Sequence, residues 1–195
     1  MTNIVLASSS TARKFLLKRL LTDFISANPD CDETALKGES HYHLAGRLGQ
    51  QKAESLAMQY KHHLIIGSDQ VATFDGIEAL GKPMTDETAF LQLKRASDQT
   101  LTFYTSICLL NSETGAVQTD IVTTNVKFKP LSDAQIHAYL QKEDVRFCAG
   151  SFKAESLGLA LIQKIESTDP SSLIGLPLIR LTEFLMQEGI DPLLL

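Results

Sequence analysis

Two long β-forming runs, residues 101–110 and 117–128, flank the polar break Asn111-Ser-Glu-Thr-Gly115, and this pattern constrains the fold more than any other feature of the chain. Runs rich in Thr, Val, Ile, Phe and Tyr on either side of a short Asn- and Gly-bearing stretch specify a hairpin with unusually long arms. Helical segments with clear end signals precede and follow it. The order predicts a mixed α/β sheet of two lobes that share one framework, in a single domain over residues 1–195.

Before the hairpin, residues 4–6 read as a strand, Ala7-Ser8-Ser9-Ser10 as a small-residue turn and residues 11–21 as a helix with apolar Phe15, Leu16, Leu17, Leu20 and Leu21. Residues 28–40 are polar, acidic and aperiodic, and predict a loop whose mobility stays open. A second helix is expected over residues 43–60, with Ala45, Leu48, Lys52, Leu56 and Tyr60 on one side. A short buried strand at 64–66 ends in Gly67-Ser-Asp69-Gln70, where Gly67 allows another backbone or a ligand to approach closely. Thr85 caps a third helix with Ala89, Leu93 and Ala96 inward. After the hairpin, Ser132-x-x-Gln135 has capping-box form. Strands are expected at 148–153 and 157–162, then a helix over 173–187 with Pro177 in its early turns and Gly189 as its stop.

Composition removes several classes of function. With 18 basic against 23 acidic residues and a net charge of -5, and no dense Lys/Arg cluster, the chain has no footprint for nucleic acid or an anionic membrane. Three widely spaced cysteines without a Cys-x-x-Cys pair suggest neither a disulfide framework nor a zinc knuckle. No apolar run reaches bilayer length, and no basic segment precedes an apolar one near Met1, so a cytoplasmic location is expected.

Several residues carry chemistry or a plainer role. Ser8, Ser9 and Ser10 with Arg13 form an anion cradle at a helix start, or else one Ser caps the helix and Arg13 is solvated. Lys52, within an apolar stripe, must pair or carry its ammonium out to water. Asp69 suits a metal ligand or a general base toward water, or caps a turn. Lys82, between Gly81 and Pro83, is a turn residue unless the fold returns it to Asp69. Glu33 in its acidic loop offers a second carboxylate or is merely solvated. Glu155 lies between predicted strands.

Taken in order, Leu6-Ala-Ser8-x-Ser10-x-x-Arg13, Asp32-Glu33-Thr34, Gln51-Lys52-Ala53, Gly67-Ser68-Asp69-Gln70, Gly81-Lys82-Pro83, Cys148-Ala-Gly-Ser-Phe-Lys-x-Glu155, Asp169-Pro170 and Leu173-Ile-Gly-Leu-Pro177 resemble the Maf family. Its members are nucleoside triphosphate pyrophosphatases also known as septum-formation inhibitors. The resemblance implies a Maf/ITPase-like fold, an elongated mixed sheet flanked by helices with a central cleft between two lobes. It also implies hydrolysis between the α- and β-phosphates with Mg2+ or Mn2+, and a homodimer. By position, Asp69 is then the proton acceptor and, with Glu33, a metal contact; Ser8, Arg13, Lys52 and Lys82 grip phosphate; Ala12, Gln70 and Glu155 set specificity. Glu155 is similar to the branch acting on 7-methyl-GTP, whose role is to keep modified nucleotides out of nucleic acids. Ala12 and Thr11 depart from the family, which has a bulky aromatic at position 12 in that branch and Pro at 11. The alternatives are the sister branch for dTTP and UTP, or a nucleotide-binding regulator of septum formation with little catalysis.

Overall fold

The hairpin is the spine of the molecule. In a computed structural model that describes residues 3–74, 76 and 78–195, β6 (Thr100–Asn111) and β7 (Val117–Phe128) pair antiparallel from Thr100↔Lys127 to Leu110↔Val117. Each arm is 12 residues, so the pair is about 40 Å long. Asn111 closes the turn by accepting from the Glu113 and Thr114 N–H groups through Oδ1, and Gly115 supplies the left-handed residue at φ 78°.

The other edge of β6 carries two strands end to end. β3 (Leu64–Gly67) pairs with its C-terminal half, Leu64↔Asn111 to Gly67↔Cys108, and β4 (Gln70–Thr73) with its N-terminal half, Gln70↔Thr105 to Thr73↔Thr102. The register passes from β3 to β4 without a slip. Ser68 and Asp69 therefore interrupt one long strand rather than follow its end, and the Asp69 carbonyl still accepts the Ser106 N–H at 2.9 Å. Beyond β3 lie β1 (Ile4–Ala7) and β2 (Ile25–Ala27), both parallel; β5 (Ala79–Leu80) pairs with β4, and β8 (Ile162–Ser167) with β7. The result is a mixed sheet of eight strands among the described residues.

The helices α1 (Thr11–Leu17), α2 (His41–Glu54), α3 (Asp86–Ala96), α4 (Asp133–Leu140) and α5 (Leu178–Gln187) cover this sheet. In one half, α1 and α5 pack Leu16, Leu17, Leu181 and Leu185 on Leu64, Ile66, Ile107 and Leu109. On the opposite face, Ala53 and Leu56 meet Val5, Ile65 and Cys108. In the other half, α3 and α4 enclose Leu101, Phe103, Val126 and Phe128 with Phe152. Along β6, Leu101 and Phe103 belong to one core, and Ile107 and Leu109 to the other. Between them Thr105 and Ser106 are buried but polar, so the apolar interior divides there and the two expected lobes are real.

Local signals were legible where they were local. Thr85 caps α3, and Ser132 with Gln135 forms the full reciprocal capping box. The three cysteines are free, and no helix among the described residues is long and apolar enough to cross a membrane.

Five expectations need correction. α1 stops at Leu17 and α2 at Glu54, because residues 18–21 and 55–60 tighten into turns. α2 starts at His41, since Ser40 accepts the His43 N–H. Residues 148–153 are not a strand. Gly150 at φ 72° and Ser151 at φ 58° curl Ala149–Ser151 into a short 3-10 turn, and a Cβ at Gly150 would lie 2.8 Å from Leu101 Cδ2. Leu157–Leu161 is likewise 3-10, and the strand begins only at Ile162. The last helix begins at Leu178 after a separate 3-10 turn at Pro170–Ile174, with Pro177 at its N-cap. Met1 and Thr2, part of the N-terminal sequence reading, lie outside the described residues.

Candidate active site

A cleft of about 770 Å3 opens where the two cores divide, well within the size that holds a small-molecule ligand. Its position follows from one close approach. A Cβ on Gly67 would lie 2.1 Å from the Gly49 carbonyl oxygen and 2.9 Å from the Ala53 nitrogen, so only glycine lets α2 press its backbone against β3. Gly49 repeats the requirement, at 2.3 Å from Ser106 Oγ. That contact sets Lys52 beside the strand interruption.

Lys52 pairs rather than snorkels. Its side chain is 8% exposed and its Nζ lies 2.5 Å from Asp69 Oδ1 and 2.7 Å from Glu33 Oε1. Burial works against the ammonium, but the two carboxylates outweigh it and hold its pKa above the ordinary value. Glu33, though 59% exposed, is not merely solvated, and its hydrogen bond with Lys52 lowers its own pKa. The triad carries net charge -1. Asp69 is anchored by its N–H, which donates to Ser106 Oγ at 2.9 Å.

The loop that delivers Glu33 is fastened. Arg47 on α2 grips Glu39 with Nε and Nη2, each 2.7 Å from a carboxylate oxygen, and donates from Nη2 to the Thr34 carbonyl at 3.0 Å. A shallower groove beside this loop offers no open cation, because Arg47 is fully engaged there.

Arg13 is not solvated. Ser10 caps α1 by accepting the Arg13 N–H, while Nε donates to the Gly175 carbonyl and Nη1 to the Ser68 carbonyl, both at 2.8 Å. The guanidinium thus joins the serine turn, the strand interruption and the turn at 170–175. Burial lowers its pKa, against Asp69 and Glu33, yet it stays charged at neutral pH. Its Nη2 has no partner among the described residues. Ser8 is set back from the cleft: it is buried, and its Oγ accepts the Ser10 N–H. Ser9 and Ser10 form the wall instead.

Gln70 follows Asp69 into the cleft with its amide already oriented. Nε2 donates toward Thr105 Oγ1 and the Ser172 and Leu173 carbonyls at 3.0, 3.0 and 3.2 Å. Thr105 gives its own proton to Ser172, so all three neighbours are acceptors and Oε1 is the atom left over. The protein itself thus fixes the orientation of this amide. Ala12, Lys82 and Glu155 also line the cleft, the last two exposed. Ser9, part of the expected anion cradle, stands on the same walls with Lys153 and Phe147, two residues the sequence did not single out. Lys153, half-buried and 3.5 Å from Glu143, had no signature beyond its place in the Cys148 to Glu155 motif.

No group of three or more His, Cys, Asp or Glu converges as a metal cage among the described residues. Asp69 and Glu33 nonetheless share one cation, the Lys52 ammonium, and each keeps a second oxygen. Two carboxylates of this kind fit Mg2+ or Mn2+, which take their remaining oxygens from phosphates and water.

One solved structure, "The structure of the Staphylococcus aureus Ham1 protein", is 16% identical over 65% of this chain and 72% of its own, with a TM-score of 0.46. The model of the family described as Maf-like protein matches residues 3–188, a span that contains every residue of the cleft. The chain is a member of the Maf-like protein family.

Proposed function

We propose that the protein is a nucleoside triphosphate pyrophosphatase that converts 7-methyl-GTP to 7-methyl-GMP and diphosphate, and so keeps modified nucleotides from polymerases. The observation that carries this reading is the buried Lys52 held by Asp69 and Glu33 at the seam of a cleft large enough for a nucleotide. Asp69 and Glu33 would hold Mg2+ or Mn2+, which when bound neutralises the triphosphate.

The chain's own groups have separate tasks. Arg13, Lys52 and Lys82 offset charge on the phosphates, with Ser9 and Ser10 at the helix start. Asp69, paired with Lys52, accepts the proton of a water whose oxygen bonds to the α-phosphorus. The bridging P–O bond between the α- and β-phosphates breaks, and diphosphate leaves with its electron pair.

The base-reading side favours guanine over a pyrimidine. Gln70 has spent its N–H groups on the protein and presents Oε1, and Glu155 presents a carboxylate, so the site offers acceptors. The N1–H and 2-amino groups of guanine supply donors, and the positive charge of a 7-methylated base is attracted to Glu155. Uracil and thymine have one ring N–H between two carbonyls.

Diphosphate release from a nucleotide panel with Mg2+ tests this. The expected order places 7-methyl-GTP above GTP, and both above dTTP and UTP, with Asp69→Asn folded but inactive. Preference for dTTP or UTP would assign the protein to the sister branch, and no release from any triphosphate would remove the catalytic reading.

A further inference from the structure

The chain has nine phenylalanines, and eight are accounted for by packing or by a cation. Phe24, Phe74, Phe90, Phe103, Phe128, Phe152 and Phe184 pack in or against the two large apolar clusters, and the exposed Phe15 has the Arg19 guanidinium over its ring at 5.0 Å. Phe147 belongs to no cluster. It is 63% exposed, and no cation or aromatic ring covers it among the described residues. Yet it is part of the cleft wall.

Its backbone is fastened although its ring is not covered. The Cys148 N–H donates to the Val145 carbonyl at 2.9 Å, and the Arg146 carbonyl accepts the Met84 N–H at 3.0 Å, tying this segment to the one that carries Lys82. Asp144 clamps the Arg146 guanidinium through two bonds of 2.9 and 2.8 Å. A large apolar face held bare on a fixed main chain inside a ligand cleft is a preformed stacking platform. The other two aromatic rings of the cleft are unavailable. Phe103 and Phe152 are 1% and 5% exposed and meet edge to face at 5.7 Å.

We infer that Phe147 is the platform on which the base of the substrate stacks, and that it determines specificity for an electron-poor or cationic purine. The inference rests on the nucleotide reading above. A phenyl face attracts positive charge through its quadrupole, and an N7-alkylated purine is a flat cation. Phe147 meets the face of such a base while Glu155 and Gln70 meet its edge, so stacking and hydrogen bonding act on different surfaces of one ring system.

The chain contains no tryptophan, so Phe147→Trp introduces a single fluorophore at the proposed contact. Without divalent cation, 7-methyl-GTP and 7-methyl-GMP quench it in a saturable manner, whereas ribose 5-triphosphate does not. With Mg2+, Phe147→Ala raises KM for 7-methyl-GTP about five- to hundredfold more than KM for ribose 5-triphosphate, the range expected for one lost base–aromatic stack. Equal KM penalties for the two substrates, or an unquenched tryptophan under nucleotide concentrations that saturate the protein by calorimetry, overturn the inference. If quenching occurs but wild-type protein releases no diphosphate, the catalytic reading fails and the stacking role stands. Diphosphate release without quenching gives the reverse, and a protein that binds no nucleotide by calorimetry overturns both.

Discussion

Lys52→Met separates a pairing role from a packing role, because methionine retains most of the aliphatic stem and removes only the ammonium. In the wild type that ammonium is 2.5 Å from Asp69 Oδ1 and 2.7 Å from Glu33 Oε1. The two arms are unequal. The Asp69 side chain is 12% exposed and Glu33 59%, so the Glu33 arm contributes at most about 1 kcal/mol. Breaking a buried pair by deleting one partner costs about 3–5 kcal/mol, chiefly because the remaining charge is stranded. Asp69 borders an open cleft, which places the expected loss near the lower end, about 3 kcal/mol. For a chain of this length that corresponds to a Tm lowered by about 6–12 °C. Asp69→Asn strands less, since Lys52 keeps Glu33, and should cost about 1–2 kcal/mol. The double variant should be more stable than Lys52→Met alone, with a coupling energy of about 2 kcal/mol from urea denaturation of all four proteins. A Lys52→Met loss under about 1 kcal/mol, or additive single effects, would refute the claim that this ion pair is buried and coupled.

Two other perturbations test how the site is built. Gly67→Ala places a methyl 2.1 Å from the Gly49 carbonyl oxygen, a backbone atom that cannot yield, so α2 must retreat from β3. The expected loss is about 3 kcal/mol together with diphosphate-release activity, while Gly81→Ala, with nothing within 4 Å of its Cβ, leaves stability within about 0.5 kcal/mol by urea denaturation. Glu39→Gln should free the loop that delivers Glu33, lowering hydrogen-exchange protection across residues 31–39 about tenfold at pH 7, the equivalent of one charge-assisted contact. Arg47 holds the Glu39 carboxyl down from 4.5 to about 2, so this fastening is fully present above pH 4.5 and is lost as pH falls through about 2. Wild-type protection should therefore converge on that of the variant over this window, and equal protection at pH 7 would count against the clamp.

What the sequence disclosed about the fold was whatever a few neighbouring residues decide. The hairpin, the Thr85 cap and the Ser132–Gln135 box needed no tertiary information. Lys52 stood out because a charge on an apolar helix face must be compensated, and its partners were then found at Asp69 and Glu33. Residues 148–162 misled because Phe152, Leu157 and Leu161 spaced along a short segment resemble strand residues, whereas Gly150 and Ser151 are left-handed and Leu101 and Phe103 leave no room for a Cβ at Gly150. The orientation of Gln70 was equally hidden, since its acceptors include Ser172 and Leu173, far along the chain. Ser8 and Ser9 differ only in which way the chain faces as it leaves β1, a direction that three consecutive serines do not encode.

The site's location follows from the spine. A strand as long as β6 serves two hydrophobic cores, and at their boundary it carries Thr105 and Ser106, both buried polar residues whose hydroxyls need partners. Ser106 finds Asp69, and Thr105 finds Ser172 and Gln70. The strand alongside β6 loses its regular form at this same boundary, so Asp69 keeps its backbone in the ladder while its side chain turns toward Lys52. A carboxylate there is fixed by the sheet on one side and open to the cleft on the other. Neither lobe alone could hold it so: the anchoring strand spans both, the cation comes from α2, and Lys82 and Glu155 line the same cleft. The division of the core that makes two lobes is therefore also what creates a rigid polar position between them, and the candidate chemistry is seated where apolar packing gives way.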